Sequence, residues 1–354
     1  MDLELWQGRR VLITGHTGFK GAWLTFLLKK LGASVHGFSI SRGPEGSLYL
    51  ASHLVDLLDS EALGDIRDES EFAEYVERVQ PEVVFHLAAM ATVQDARSDP
   101  AGAFSTNVLG TYNVLHGAIE VGAKVIVAAT TDKVYQNNEW AWPYREIDPL
   151  GGKDPYSASK SASENVIACL REMNPTISLT AVRAGNVIGG GDATSTRLIP
   201  DLASHWSASE VTNLRMPNAT RPWQHVLDCL RGYILTAEAG LRGADLPPAL
   251  NFGPIGSLSV LETAHLFYEA VGEKLKPNIA TSQQPEHSRL ELDSNLARNH
   301  LGWQPLISMR KSVQSAAQWY LSLRAGLDAR VIAEQTVADF FTLAGLAKNE
   351  RRET

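Results

Sequence analysis

The segment VLITGHTGFKGAWLTFLLKK, residues 11–30, decides the fold because it joins an apolar run, a glycine-rich loop and a helical pattern. The apolar run is typical of a buried strand, and the apolar residues after the loop recur at helical spacing. Gly15, Gly18 and Gly21 stand three residues apart between the two. Glycines in a strand–loop–helix context let the backbone approach a pyrophosphate, which the N–H groups of the helix N-terminus then bind. The segment therefore predicts a dinucleotide-binding unit at the start of the chain.

Further strand-like segments continue this pattern along the chain. They are mostly apolar and alternate with helical patterns, as expected for parallel strands that are covered on both faces. The segments are residues 34–40, 82–89, 124–130 and 178–187, with a turn after a third strand at 64–68 and a late strand at 249–254. The alternation predicts an α/β fold with a doubly wound parallel (Rossmann) sheet and right-handed crossovers.

The alternation stops after about residue 187, where loop-like segments and a mostly helical remainder follow. We therefore predict a dinucleotide-binding domain and a smaller C-terminal substrate-binding domain, with a cleft between them. The first comprises residues 1–187 and 226–256, the second residues 188–225 and 257–345, and residues 346–354 form a solvated tail.

Composition narrows the classes of partner. The net charge of −8 argues against nucleic acid or an anionic membrane surface, since both require a basic protein surface. Cys169 and Cys229 cannot form a disulfide framework, and both lie in apolar helical patterns, which predicts two buried thiols. Neither a signal peptide nor a membrane-spanning apolar run is apparent, so a cytoplasmic protein is expected. The histidines and cysteines show no metal-ligand spacing, and no metal is expected.

A dinucleotide would contact the loops that follow the predicted strands. At the end of the second strand, where an acid normally binds the adenosine ribose, the chain has Ser41 with Arg42 beside it. NAD is the expected cofactor, and NADP stays an alternative because this pair suits a 2′-phosphate. Lys20 either touches a cofactor phosphate or lies exposed. The candidate cofactor contacts are Gly15, His16, Thr17, Gly18, Phe19, Lys20, Ser41, Arg42, Asp65, Ile66, Leu87, Ala88 and Ala89.

The motif DPYSASK places Tyr156 and Lys160 four residues apart in a helical pattern, and hence on one helix face. A phenol with a pKa of ~10 becomes a useful base only if that pKa falls by ~3 units, which requires about 4 kcal/mol. A neighbouring ammonium and an oxidised nicotinamide are able to supply this. The pair therefore predicts a base that takes a hydroxyl proton while a hydride leaves the same carbon; a surface pair without function is the alternative.

The glycine loop and the Tyr–Lys pair together resemble the extended short-chain dehydrogenase/reductase superfamily, whose members oxidise and reduce nucleotide-activated sugars. The resemblance covers about residues 5–320. The acid and base in TTDKVY, residues 130–135, resemble the 4,6-dehydratases of nucleotide sugars. A lysine where most of these enzymes have glutamate resembles the CDP-glucose branch, as do the runs GGKDPYSASK, VRAGNVIGGGD and RPWQHVL. The resemblance implies CDP-glucose as substrate, with another NDP-hexose as the alternative.

The same resemblance implies roles for individual residues. Tyr156 would take the proton of the carbon-4 hydroxyl, Lys160 would hold the nicotinamide ribose and Thr131 would bond the same hydroxyl. Asp132 would be the acid, and Lys133 the base, in the loss of water across carbons 5 and 6. Candidate contacts to the diphosphate and nucleotide are Asn186, Arg197, Arg221 and His225, the last with a structural role as alternative.

Two departures and two other functions stay open at this point. Residues 90–94, MATVQ, replace the Gln-Pro-Leu-Val-Arg that such enzymes usually have above the sugar, and residues 283–293 replace a histidine-rich stretch at the nucleotide end. An epimerase or oxidase of the same fold, or a dinucleotide-sensing protein without turnover, are the competing functions. A homodimer is expected through the helix that carries Ile167, Cys169 and Leu170.

Overall fold

The computed structural model describes residues 1–214, 216–279 and 290–346. The predicted tail, apart from Leu346, lies outside the described residues. So does most of the stretch 283–293 that was expected at the nucleotide end of the site.

A parallel sheet of seven strands forms the centre of the described structure, in the order β3-β2-β1-β4-β5-β6-β11. Its strands are β1 Arg10–Thr14, β2 Ser34–Ser39, β3 Ser60–Leu63, β4 Val83–His86, β5 Val125–Ala129, β6 Ser178–Ala184 and β11 Ala249–Phe252. The predicted doubly wound sheet is confirmed. Six short strands pair outside it: β7 Val187–Ile188, β8 Thr212–Leu214, β9 Thr220–Arg221, β10 Gln224–His225, β12 Leu258–Ser259 and β13 Pro277–Ile279.

Helices connect these strands. They are α1 Leu3–Trp6, α2 Phe19–Lys30, α3 Leu48–Ala51, α4 Glu69–Val79, α5 Val93–Ser98, α6 Pro100–Phe104, α7 Gly110–Glu120, α8 Pro155–Met173, α9 Leu198–Ala208, α10 Val226–Leu241, α11 Val260–Ala270, α12 Asn295–Leu301, α13 Met309–Arg324 and α14 Ala329–Leu343. A π-helical turn, Ser105–Leu109, precedes α7, and a 3₁₀ turn, Asp132–Val134, follows β5.

Both faces of the sheet are covered, which explains why its strands are apolar throughout. One face packs against α2, α10 and α14, with buried residues such as Trp23, Leu230 and Phe340. The other face packs against α4, α7 and α8, with buried residues such as Phe72 and Val114. The carboxyl ends of β1, β2, β4, β5 and β6 all meet at one edge, where an open α/β sheet binds its ligands.

A second apolar core lies between α9, α11 and α13 and includes Trp206, Phe267 and Val313. Its helices lie within residues 188–225 and 257–345, the part of the chain for which substrate binding stays a prediction. The predicted boundary is wrong for α12 and α14, because Ala297 and Phe341 from these helices belong to the core beneath the sheet. An amphipathic pattern shows that a helix buries one face, but it does not show which partner covers that face.

Two smaller expectations have mixed outcomes. Cys229 is buried, but Cys169 is exposed, so the prediction of two buried thiols is wrong for Cys169. In the ranges that the structure describes, no helix combines the length and apolarity needed to cross a bilayer.

Candidate active site

The glycine loop is pressed against the end of β4. Gly15 has φ +76°, and a Cβ there would lie 2.7 Å from the backbone nitrogen of Ala88. A Cβ on Gly21 would overlap the carbonyl oxygen of Gly15. Gly18 caps α2 and donates its N–H to the Gly15 carbonyl at 3.1 Å. Side chains are thus excluded where a pyrophosphate must approach the helix N-terminus, so these residues fit a dinucleotide.

Two residues of the loop point their side chains into the protein. The His16 ring is fully buried, with Nδ1 3.0 Å from Ser39 Oγ and Nε2 3.0 Å from Glu61 Oε2. The predicted cofactor contact of His16 would therefore be made by its backbone and not by its ring. Thr17 donates its hydroxyl to the Ser41 carbonyl oxygen at 2.8 Å, which ties the loop to the segment after β2.

The segment after β2 carries the predicted ribose contacts. Ser41 and Arg42 are exposed there, and an Arg42 guanidinium nitrogen lies 3.6 Å from a Glu61 carboxylate oxygen. Glu61, on β3, also accepts a 2.6 Å hydrogen bond from Tyr49. The sequence did not indicate Glu61, because it lies on a strand whose residues, SEAL, lack an apolar pattern. An acid is thus present near the end of β2, but it comes from the neighbouring strand.

The remaining predicted cofactor contacts follow β3 and β4. Asp65 pairs with Arg67, whose Nε lies 2.8 Å from Asp65 Oδ2, and the contact of its carboxylate with adenine stays a prediction. Ile66 is buried against Gly110. Residues 87–89 are partly buried and continue β4 beside Gly15.

Tyr156 and Lys160 lie in the first two turns of α8, which Asp154 caps through the N–H groups of Tyr156 and Ser157. Lys160 is 4% exposed and donates a hydrogen bond from Nζ to the Ala129 carbonyl oxygen at 2.8 Å. Burial lowers the pKa of Lys160 to about 8, against the opposing charge of Glu164. The helix thus brings an ammonium to the end of β5, where the predicted acid and base begin.

Thr131, Asp132 and Lys133 leave β5 in a 3₁₀ turn that Thr131 caps. The Thr131 hydroxyl donates to Asp132 Oδ1 at 3.0 Å. Asp132 is 4% exposed, and burial raises the pKa of its carboxyl, although the charge of Lys133 opposes this. A carboxyl with a raised pKa holds its proton more readily, which suits a general acid.

The 3₁₀ turn after β5 and the first turns of α8 meet at Tyr156. Burial raises the pKa of the Tyr156 phenol, the Thr131 hydrogen bond lowers it, and the charge of Asp132 raises it. The sequence led us to expect a lowered phenol pKa, so burial acts in the opposite direction in the protein alone. A hydroxyl, an acid, a phenol and two amines therefore converge at the carboxyl ends of β5 and β6.

The two predicted substrate-binding arginines lie beside these groups. The charge of Arg197 lowers the pKa of Tyr156, and Arg197 is held by Asp192 at 3.0 Å. The charge of Arg221 lowers the pKa of Asp132. Asn186 is partly buried at the end of β6, where its carbonyl oxygen accepts the Gln224 N–H. These placements put cationic groups at the edge where an anionic substrate would lie.

His225 takes the structural role that the sequence left open as its alternative. It is 2% exposed, its Nδ1 accepts the Leu227 N–H at 3.2 Å, and its Nε2 lies 3.2 Å from Ser315 Oγ. Burial lowers the pKa of His225 to about 4, so the ring is neutral. His225 therefore caps α10 and is not a substrate contact.

Two further polar residues lie beside this site, of which the sequence indicated one. Lys20, a predicted cofactor contact, lies 3.3 Å from the Tyr233 hydroxyl, and its charge reaches both Asp132 and Lys160, so it does not lie exposed. Glu164, which sequence reasoning missed, bonds Thr130 and Arg183 directly behind the turn 131–133. The spacing of Lys160 and Glu164, four residues apart on one helix, was a signal for the latter. Within the described ranges, no group of three or more potential metal-ligating side chains occurs.

The fold and the site together define a class. A Rossmann sheet with a glycine loop, a Tyr–Lys pair on α8 and an acid–base pair after β5 is the architecture of a dinucleotide-dependent enzyme. The model of the NAD dependent epimerase/dehydratase family matches residues 11–248, and the chain belongs to this family.

Individual relatives agree with this assignment. A CDP-glucose 4,6-dehydratase of Salmonella typhimurium is 36% identical over 357 residues, which cover 97% of this chain and 99% of that protein. The UDP-glucose 4-epimerase of Thermotoga maritima, solved with UDP-glucose, has a TM-score of 0.79 at 22% identity and covers 89% of this chain and 99% of its own. The Brucella ovis UDP-glucose 4-epimerase, solved in complex with NAD, has a TM-score of 0.79 at 22% identity and covers 88% and 98%.

Proposed function

We propose that the protein is an NAD-dependent 4,6-dehydratase that converts CDP-glucose into CDP-4-keto-6-deoxyglucose. The observation that carries this proposal is the vicinal acid and base, Asp132 and Lys133, placed next to Tyr156 by the turn after β5. The likeness of nearly the whole chain to a CDP-glucose 4,6-dehydratase supports the choice of reaction and of sugar nucleotide.

The first step is oxidation at carbon 4 of the hexose. Tyr156 takes the proton of the carbon-4 hydroxyl, and Thr131, which is hydrogen-bonded to the phenol, holds the same hydroxyl. Lys160, whose Nζ lies at the end of β5, would hold the nicotinamide ribose. NAD, when bound, would supply a positive charge that helps ionise the phenol and would serve as the carrier of the hydride between carbon 4 and carbon 6.

The second step is loss of water across carbons 5 and 6. The new ketone acidifies the carbon-5 proton, which Lys133 removes while Asp132 protonates the departing carbon-6 hydroxyl. Lys133 then gives this proton back to carbon 5 as the hydride adds to carbon 6. Burial keeps a proton on Asp132 more readily than water does, as this role requires. Lys20 and Arg221 place positive charge near the same carboxyl and limit how far its pKa rises.

Incubation with CDP-glucose and NAD tests the proposal. The product should be lighter than the substrate by one water in mass spectrometry, and no NADH should accumulate because the hydride is returned. Steady accumulation of NADH would contradict a dehydratase, and a product with the mass of the substrate would indicate an epimerase.

Two substitutions separate the dehydratase from an epimerase or oxidase of the same fold. Asp132→Asn and Lys133→Met should each abolish water loss while leaving NAD binding intact. Removing a general acid or base typically lowers the rate by about 10²–10⁴-fold. An enzyme that only oxidises or epimerises at carbon 4 would keep nearly full turnover in both variants. A non-catalytic dinucleotide sensor would bind NAD without turning over any NDP-hexose.

NAD is also proposed over NADP. The Arg42 guanidinium, which would have to hold a 2′-phosphate, lies 3.6 Å from the carboxylate of Glu61. This acid disfavours a second phosphate and suits ribose hydroxyls. The NAD-bound structure of the Brucella ovis epimerase supports the same choice.

A homodimer is proposed through the outer faces of α7 and α8. Ile167 and Leu170 are 2% and 6% exposed and pack beneath the sheet, so their predicted place in the interface is wrong. The exposed residues of this surface are Leu109, Tyr112, Ala168, Cys169 and Met173. The cytoplasmic location expected from the sequence stays a prediction.

A further inference from the structure

A buried ion pair between Glu164 and Arg183 lies one helical turn beyond Lys160. Glu164 stands four residues after Lys160 on α8, and the two side chains are 6% and 4% exposed. Neither the sequence motifs nor the proposed mechanism gives Glu164 a role. Because a carboxylate loses its hydration when it is buried, it must be fully paired to remain there.

Glu164 is paired on both of its oxygens. Oε1 accepts the hydroxyl of Thr130 at 2.6 Å and Nε of Arg183 at 2.8 Å, and Oε2 lies 2.5 Å from a second guanidinium nitrogen of Arg183. Arg183 is on β6 and 3% exposed. The carboxylate therefore joins three elements of the fold: the end of β5, the strand β6 and the helix α8.

Arg183 extends this connection to the segment that follows the catalytic turn. Its remaining nitrogen donates to the Tyr135 hydroxyl at 2.7 Å and to the Glu146 carbonyl oxygen at 3.1 Å. Thr130 and Tyr135 thus flank the catalytic residues 131–133, and both are held by the same ion pair. Stability alone does not explain why an ion pair occupies this position, since a buried ion pair is often no more stable than well-packed apolar residues.

We propose that Glu164, oriented by Arg183, is a positioning residue that fixes the catalytic turn, residues 131–133, against the helix that carries Tyr156 and Lys160. This inference rests on the proposed dehydratase function. Oxidation and water loss occur on adjacent carbons, so the two segments must keep a fixed separation while one hexose reacts. The link through Thr130 provides that constraint without contact to the substrate.

The charge of Glu164 also acts on the pKa of Lys160. Burial and the charge of Lys20 on α2 lower this pKa, whereas the charge of Glu164 raises it. Together these effects leave the pKa of Lys160 at about 8. His86 on β4 also faces Lys160, but its own pKa is lowered to about 3, so it is neutral and adds no charge. Without the carboxylate, the pKa of Lys160 falls further, and the ammonium loses its proton at a lower pH.

Two single variants, a matched control and a double variant test the proposal in the full-length enzyme loaded with NAD. Glu164→Gln should lower kcat by about ten- to a hundredfold, as expected when a catalytic group is displaced. Its KM for CDP-glucose should stay close to that of the wild type, because no substrate contact is lost. The high-pH limb of its kcat profile should move to lower pH. Thr130→Val removes the hydroxyl alone and should lower kcat without moving that limb.

Arg171→Met is the matched control. Arg171 anchors the same helix by donating to the carbonyl oxygens of Leu179 and Leu246, but it has no link to the catalytic turn. This variant should lose stability and keep the kcat profile of the wild type. If Glu164→Gln behaves in the same way, or raises KM with kcat unchanged, the positioning role is wrong.

A variant that lacks the charges of both Glu164 and Arg183 is the control for misfolding. Glu164→Gln with Arg183→Met leaves no unpaired guanidinium and should fold, yet show the same low kcat and the same shifted limb. NMR titration of lysine labelled with ¹³C at the ε-carbon gives a readout that needs no turnover. The pKa of Lys160 should be lower in both Glu164 variants than in the wild type, and equal values would overturn the charge effect. Absence of any dehydrated product from the wild type would instead refute the proposed function.

Discussion

Substitution of Gly15 by alanine tests whether the glycine loop is built for close approach to the end of β4. Gly122, which lies outside the loop, is the control, because Gly15 and Gly122 share the same backbone angle, φ +76°. Only Gly15 has neighbours: a Cβ there would lie 2.7 Å from the Ala88 nitrogen and 2.9 Å from its Cα. A Cβ on Gly122 would have nothing within 4 Å.

The expected loss of stability follows from these contacts. A left-handed backbone costs an L-residue about 1–2 kcal/mol, so Gly122→Ala should lower the free energy of unfolding by about that amount. Gly15→Ala also forces the backbone of Ala88 to move, and such overpacking adds about 1–3 kcal/mol. The total for Gly15→Ala is therefore about 2–5 kcal/mol.

Differential scanning calorimetry and NAD titration measure the two effects. An unfolding entropy of about 2.1 cal/mol/K per residue makes 1 kcal/mol equivalent to about 1.3 °C for this chain. Gly15→Ala should lower Tm by about 3–7 °C and weaken NAD binding at least about tenfold, since the loop moves from its place. Gly122→Ala should lower Tm by about 1–3 °C and leave NAD binding unchanged. Equal effects in both variants would refute the close-approach argument.

Three further predictions concern stability, cofactor choice and assembly. Burial lowers the pKa of His86 to about 3 from 6.5, so only the unfolded chain takes up a proton at this residue as the pH falls. Chemical unfolding should therefore show that His86 lowers the free energy of unfolding by about 2 kcal/mol between pH 6.5 and 5. His86→Gln should remove this contribution to the pH dependence. An unchanged slope would contradict a neutral buried ring. Arg42→Ala should leave the Kd for NAD within about twofold by calorimetry, since an exposed ion pair contributes little; a wild type that binds NADP more tightly than NAD, and loses that preference in the variant, would contradict the choice of NAD. Ala168→Arg should convert a dimer into a monomer in light scattering, and a monomeric wild type would reject the α7–α8 interface.

The sheet could be predicted from the sequence because parallel strands covered on both faces are apolar throughout. The strands β1, β2 and β5 lie within one residue of their predicted bounds. The strand β3 is short and mixed in composition, and only the turn after it was indicated. Local patterns therefore gave the strands that are buried on both faces, including β11 at one edge of the sheet, and missed the partly exposed β3 at the other edge.

Contacts between distant segments could not be predicted. Glu61 meets His16 across 45 positions, and Glu164 meets Arg183 and Thr130 from three different elements. The sequence around each of these residues does not indicate which distant residue it contacts. His225 illustrates the reverse case, since its place in a conspicuous motif suggested a ligand contact, whereas its ring caps α10.

Isotope transfer within one sugar tests the central claim most directly. CDP-glucose carrying deuterium at carbon 4 should yield, with wild-type enzyme and NAD, a 4-keto product that carries the deuterium at carbon 6. Deuterium that stays at carbon 4, or is released on free cofactor without loss of water, would contradict the coupling of oxidation, elimination and hydride return.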